Sequence, residues 1–313
     1  MPNNQTRRLA HGAMMIALFA IFIAIAFYVP IISVIATVFA PLPIAWYSAK
    51  YDRSSSILVA IVGCIVSLFF GGLVILPFSL IFASVGVVIG DVLRLKKSKV
   101  FLFMSSGITV LITFALQYVI SIKLFETDFI QESMQLMRES YSKSIELSQS
   151  LTGQTPIDPV TLEAMFDMME ASLPASITMG AFFFAFIIIS INLPLLKRLG
   201  INVPKFRSFK NTRLPRAILW YYLIVLAINL FIGPETGTPL YVIVLNFSLI
   251  LWVLLTIQGV SFVHFALDAF GSPKFLKVLA AIMAIPLYSF YVLIGILDLG
   301  FDIRSFVKGK IQK

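Results

Sequence analysis

RRLAHGAMMIALFAIFIAIAFYVP, from Arg7 to Pro30, places two arginines ahead of an almost unbroken apolar run. A secretory leader carries an apolar stretch of only ~7–15 residues before its cleavage site. Ala24-Ile25-Ala26 could serve as such a site, but the run is longer than that stretch and a second apolar segment starts at Ile31, with only Pro30 between. The reading that follows is an uncleaved first membrane helix, and it makes the rest of the chain legible as a series of spans.

The composition agrees. Of 313 residues, 59% are hydrophobic and 12% charged, whereas a soluble domain is nearer half apolar and a quarter charged. Apolar runs of the ~17–25 residues needed to cross a bilayer recur along the chain. The fold expected is an all-α, polytopic helical membrane bundle of about nine transmembrane helices with an external amphipathic helical hairpin. The segments read as Leu9–Val29, Ile31–Ala49, Ser54–Phe70, Leu73–Leu93, Val100–Ile122, Ala175–Leu196, Ala217–Ile232, Leu240–Ala266 and Phe275–Leu297. The single cysteine, Cys64, excludes an intramolecular disulfide.

Basic residues orient the spans, because cytoplasmic loops are enriched in Lys and Arg. Arg7 and Arg8 precede the first segment, Lys50 and Arg53 follow the second, and Arg94, Lys96, Lys97 and Lys99 follow the fourth. Lys197, Arg198, Lys205, Arg207, Lys210, Arg213 and Arg216 follow the sixth. These sites alternate correctly for a cytoplasmic N-terminus in a bacterial inner membrane. The net charge of +9 is therefore read as loop bias and not as nucleic-acid binding. The last three segments conflict with this order. An odd number places the tail outside, yet the tail carries Arg304, Lys308, Lys310 and Lys313. Either four cations cross, or one segment does not span.

The chain is divided accordingly. Residues 1–122 form a five-helix half and 175–196 a sixth helix. Residues 123–174 form an extracytoplasmic insertion, 197–216 a basic cytoplasmic loop, and 217–313 a three-helix region with a basic tail. Lys123–Pro174 holds nine acids and three bases, which suits the outer face. Within it, Ile130, Met134, Met137, Tyr141 and Ile145 make one helical stripe. Asp158-Pro159 offers an N-cap and N1 start for a second helix. That hairpin either lies on the bundle or lipid interface, or covers an outward-facing cavity or docks a partner.

Small residues mark packing faces. Ala13, Ala17, Ala20 and Ala24 are spaced four, three and four along the first helix. In lipid such faces let backbones approach closely. They serve either the chain's own bundle or another membrane subunit. Ser79, Ala83, Gly86 and Gly90 repeat the pattern on the fourth, with a GxxxG that would also suit a homodimer. Gly71-Gly72 signals a tight turn, and Pro41 and Pro43 a kinked or broken second segment.

These features resemble the substrate-binding (S) components of energy-coupling-factor transporters over about Arg7–Leu196. The resemblance implies a six-helix small-solute binder that docks on a transmembrane coupling subunit with ATPases, through AxxxA on its first helix. Ala13/Ala17 and Ala20/Ala24 occupy that pattern. The 52-residue insertion and three additional helices depart from it. A second resemblance covers nearly the whole chain. PLPIAW (Pro41–Trp46), IQGVSFVHF (Ile257–Phe265) and IGILDLGFDIR (Ile294–Arg304) look like the YybS-type family of bacterial membrane proteins. Its genomic neighbourhood implies a membrane-bound cyclic-di-AMP phosphodiesterase as a partner.

Polar residues inside membrane segments are costly and are functional candidates by default. Asn246, Gln258, Ser261, His264 and Asp268 fall within an arc of about 120° on the eighth helix, at ~100° per residue. His264 and Asp268 stand four apart and could bond, an arrangement for proton sensing or relay, or the arc is a packing seam. Trp46, Tyr47 and Lys50 suit an interfacial belt. Gln117, Asn192 and Asn229 suit interhelical hydrogen bonds. Asp298, Asp302 and Arg304 form a C-terminal signature, read in the family as a structural lock or docking site.

No HExxH, GxSxG or phosphate-loop motif occurs, and His11 and His264 are the only histidines. No enzyme activity, metal or cofactor is expected. Two functions compete: a small-solute-binding transporter subunit, or a non-transporting scaffold or regulator that uses helix faces or the basic loop. The bilayer is a partner under both.

Overall fold

The computed structural model describes residues 4–153, 158–204, 208–301, 303–305 and 307. These are mostly helical, without strands. In order the helices are α1 (Asn4–Tyr28), α2 (Pro30–Phe39), α3 (Pro41–Lys50), α4 (Arg53–Gly71), α5 (Leu76–Arg94), α6 (Lys99–Phe125), α7 (Phe129–Thr152), α8 (Pro159–Ala171), α9 (Leu173–Arg198), α10 (Ala217–Phe231), α11 (Pro239–Ala269), α12 (Lys274–Met283) and α13 (Tyr288–Phe301). The chain divides into two compact units. The first holds Met1–Pro156 and Ile177–Lys205, the second Ile157–Ser176 and Phe206–Lys313.

Local chemistry sets the helix ends. Pro30 opens α2 one residue after α1, with Val29 extended between them (φ −115°, ψ 89°). Pro41 then interrupts the hydrogen-bond ladder, because it has no N–H to donate. Ala40 nevertheless keeps right-handed helical dihedrals (φ −53°, ψ −39°), so α2 and α3 form one 21-residue apolar stretch, Pro30–Lys50. Asp52 caps α4, accepting from Ser55 N at 3.0 Å. Ser98, Asp128 and Thr238 cap α6, α7 and α11 in the same way. The expected turn at Gly71-Gly72 is present. Gly72 has φ +60° and ψ −151°, a conformation essentially confined to glycine, and a 3-10 turn over Gly72–Ile75 leads into α5.

The first unit is built around α5. Phe19, Ile23, Ile44, Ile75, Ile89, Leu102, Ile188, Leu193 and Leu196 are fully buried in one cluster drawn from α1, α3, α5, α6, α9 and the 3-10 turn. The α3–α5 contact is the closest. A Cβ on Gly86 would stand 2.8 Å from Pro41 O, and one on Gly90 2.4 Å from Ala45 O and 2.7 Å from Ala49 N. Two polar bridges cross this unit: Asn192 Nδ2 donates to Val38 O (2.8 Å), and Gln117 Nε2 to Pro77 O (2.8 Å). Asn229, in the other unit, bonds its own helix at Val225 O.

In the second unit α10 packs on the N-terminal half of α11 through Val225, Val244 and Leu251. α13 packs on α11 so tightly that a Cβ on Gly259 would lie 2.1 Å from Tyr291 O, and one on Gly295 2.2 Å from Leu255 O. α12 meets α13 at a bend of 109°.

Among the described residues, six stretches suffice by length and composition to cross a membrane, and the bent pair would make a seventh. One of the six, Arg53–Arg94, contains the α4–α5 hairpin. Each of the nine expected segments falls on helix, but two are not simple spans. The seventh has 15 residues, about 22 Å at 1.5 Å per residue. The ninth, expected at Phe275–Leu297, is the broken α12–α13 pair.

Candidate functional site

The two candidate groups on the C-terminal helices converge. Asp298 on α13 is fully buried, and Arg304, beyond its end, is 9% exposed. Arg304 Nε donates to both Asp298 oxygens at 3.1 and 3.0 Å, and its Nη2 lies 2.9 Å from Oδ2. The remaining guanidinium capacity goes to Lys210 O (2.8 Å) and Ser261 Oγ (3.2 Å). Gln258 Nε2 donates to Asp298 Oδ2, while its Oε1 accepts from Leu214 N (2.9 Å). The Ser261 hydroxyl places its single proton between the carbonyls of Thr212 (2.7 Å) and Phe209 (2.9 Å). Arg213 Nη2 reaches Asp298 O at 3.0 Å. A planar guanidinium matches a carboxylate over two parallel bonds, and the backbone of 209–214 satisfies what is left. Buried polar groups must be paired in this way to be tolerated.

Asp268 lies near the end of the same stripe on α11, held between Lys210 and Lys277. It does not sit on His264. The His264 ring stands edge-on to Phe209 at 5.6 Å, and its Nε2 is buried without a hydrogen-bond partner. Asn246 serves another junction. Its Oδ1 accepts from Ala175 N (2.6 Å) and its Nδ2 donates to Ala171 O (2.7 Å), so it clamps the break between α8 and α9 onto α11. The expected polar arc is thus four arrangements on one helix. Asp302 lies outside the described residues.

Lys277 and Arg304 meet the same short segment. Lys277 reaches Lys210 through Asp268, and Arg304 binds the Lys210 carbonyl directly. The first turn of α12 and the end of α13 therefore converge beside residues 209–214. Between them, Tyr288 at the start of α13 lies 6.4 Å, ring to ring, from Trp252 near the middle of α11.

In the first unit, the alanine stripe on α1 divides. Ala20 is buried and Ala24 half-buried, whereas Ala13 and Ala17 are exposed beside Leu9, Met14 and Leu18. Gly86 and Gly90 face α3 of the same chain. Trp46 and Tyr47 are 9% and 3% exposed, so they are interior residues and not an interfacial belt. His11 packs edge-on to Trp46 (5.2 Å) and bonds Tyr51 Oη through Nδ1 (2.6 Å). Lys50 Nζ covers Trp46 at 4.1 Å, and Arg8 pairs with Asp52 at 3.0 Å. Sequence reading missed this cluster because its members sit about 40 residues apart. Asp91 is neutralised by Arg94 and by Arg53 (3.6 Å). The oxygens Asn192 Oδ1 and Ser106 Oγ are buried with no partner.

Among the described residues no three His, Cys, Asp or Glu side chains cluster as a metal site requires. Fold and site together define a polytopic α-helical integral membrane protein whose interior charges are held in protein-satisfied networks. The family described as "Predicted membrane protein (DUF2232)" matches residues 17–299, and the chain belongs to it. It is also 29% identical to "Uncharacterized protein YybS" of Bacillus subtilis over 309 residues, covering 97% of this chain and 99% of that protein. These findings bear out the whole-chain resemblance carried by PLPIAW and the C-terminal signature. No solved structure matches the chain.

Proposed function

We propose that the chain is a non-enzymatic small-solute-binding subunit of a bacterial membrane transporter, with the first unit as its binding core and a separate ATP-driven coupling subunit as its motor. The observation that carries this reading is the division of the alanine stripe on α1. Ala20 is spent on the chain's own packing, while Ala13 and Ala17 leave small residues exposed on the N-terminal half. Helix association in lipid rests on such close backbone approach. The unpartnered oxygens of Asn192 and Ser106 in the same unit are groups that a polar solute or water would satisfy.

The scaffold reading leans on the basic loop as a docking surface, and the geometry favours it less. Lys210 and Arg213 are engaged on Asp268 and on the Asp298 backbone of their own chain. The test is co-purification from native membranes in mild detergent, with mass spectrometry of proteins and extracted small molecules. Ala13→Leu and Ala17→Leu should each abolish recovery of a coupling subunit with ATPases. Ala20 is unsuitable for this purpose, since leucine there would disturb the chain's own core. Retained association in both variants, or recovery of a phosphodiesterase with no solute, refutes the transporter reading.

A further inference from the structure

α12 has an outer and an inner face. Phe275, Val278, Leu279 and Ile282 follow the i, i+3, i+4, i+7 pattern of one helical stripe, and all are exposed, from 40% to 69%. The opposite face carries Lys277, Ala280 and Ala284. Lys277 is tied to Asp268, the Ala280 carbonyl accepts from Tyr291 Oη (2.5 Å), and Ala284 is buried. So α12 rests on its own unit by one face and presents a continuous apolar stripe on the other, with Lys274 and Lys277 at one end.

The path of α12–α13 decides what covers that stripe. A helix pair that crossed the membrane would enter on one face and leave on the other. Here the first turn of α12 and the residues after α13 both converge on residues 209–214, through Lys277–Asp268–Lys210 and through Arg304–Lys210 O. The bend of 109° lies between them, and Tyr288, at the start of α13, lies beside Trp252, near the middle of α11.

We infer that α12–α13 is a re-entrant element and that α12 is an interfacial helix, its Phe275–Ile282 stripe seated in the lipid leaflet on the side of the basic loop. The occupant is lipid and not a protein groove. The stripe is bounded at the headgroup end by exposed Lys274, as interfacial helices are by basic residues, and that lysine suits an anionic leaflet. The inference also resolves the conflict among the basic residues. α10 leads away from residues 209–214 and α11 returns to them, the re-entrant pair adds no crossing, and Arg304 ends beside Lys210. No cations need to cross.

The test uses single cysteines in the full chain, with buried Cys64 left in place and the parent as the blank. Ser208→Cys and Lys310→Cys are labelled with a membrane-impermeant maleimide in sealed vesicles of one orientation, before and after permeabilisation. Both should label from the same side. Labelling of Lys310→Cys from the side opposite Ser208→Cys overturns the inference. Val278→Cys and Ile282→Cys, carrying bimane, are then reconstituted in phosphatidylethanolamine–phosphatidylglycerol vesicles with nitroxide lipids. For a helix ~5–10 Å into the headgroup boundary, nitroxides near the glycerol should quench about twofold more than those at the acyl end. Stronger quenching from the acyl end, no quenching by either, or a disulfide between two copies at Val278→Cys each overturns it.

Discussion

Replacing Asp298 by leucine would leave the Arg304 guanidinium, 9% exposed, facing an apolar side chain. Three of its hydrogen-bonding contacts would vanish at once, at 2.9–3.1 Å in the parent, and Gln258 Nε2 would lose its acceptor. Removing one partner of a buried ion pair costs about 3–5 kcal/mol, because the survivor keeps its desolvation penalty without the compensating attraction. Arg304→Met is expected to cost a similar amount, since it strands a fully buried carboxylate. The double variant Asp298→Leu/Arg304→Met removes both charges, and buried pairs replaced by apolar groups of like volume are often neutral. It should therefore be more stable than the sum of the single losses by at least about 2–3 kcal/mol, at the upper end of coupling energies between contacting residues. The assay is reversible unfolding of the full chain in detergent, followed through the tryptophans. Single losses under about 1 kcal/mol, the range of solvent-exposed pairs, would refute the claim that this cluster is dry. So would strict additivity.

Gly90→Ala should destabilise the first unit by about 1–3 kcal/mol, the cost of overpacking. The new methyl must push α3 and α5 apart by about 1 Å to clear Ala45 O and Ala49 N. Gly180→Ala, where no atom lies within 4 Å, should instead gain roughly 0.5–1 kcal/mol from helix propensity; thermal unfolding of the two variants side by side separates packing from propensity. The third prediction concerns pH. The Ser55 N–H and then its hydroxyl hold the Asp52 carboxyl below its ordinary value, with Arg8 adding to this. A depressed folded value means that the charge contributes fully above the usual carboxylate range and is lost as the pH falls through the lowered value. Asn caps a helix as Asp does, so Asp52→Asn should be less stable than the parent at neutral pH. That difference should vanish on acidification. A difference that persists in acid would show that the cap's geometry, and not its charge, matters.

The membrane class and most helices were legible because lipid imposes a simple requirement. A spanning chain satisfies its backbone internally and presents apolar side chains, so length and hydropathy report it. The turn at Gly72 and the interruption at Pro41 were equally legible, since both follow from single-residue backbone constraints. Even so, Pro41 broke only the ladder and not the helical course. The ninth segment misled because α12 and α13 add up to a span's length of apolar sequence, and hydropathy does not register the bend between them. The signature residues Asp298 and Arg304 were legible through IGILDLGFDIR, the stretch that carries the family resemblance. Their partners Lys210 and Arg213 were not, because a basic residue in a loop has the same appearance in sequence whether it meets water or a buried carboxylate.

By itself the sequence determined that this is an all-helical membrane protein of the DUF2232 family, where most of its helices start and stop, and which polar residues would need explanation. Tertiary structure decided which of them meet. Asp268 is four residues from His264 but bonds Lys210, 58 residues away. Asn246 leaves the polar arc to clamp the α8–α9 break. The GxxxG face is filled by α3. Such choices depend on which helix faces are brought together and which charges find a partner before water is excluded. That is a property of packing between distant segments, and no local pattern encodes it.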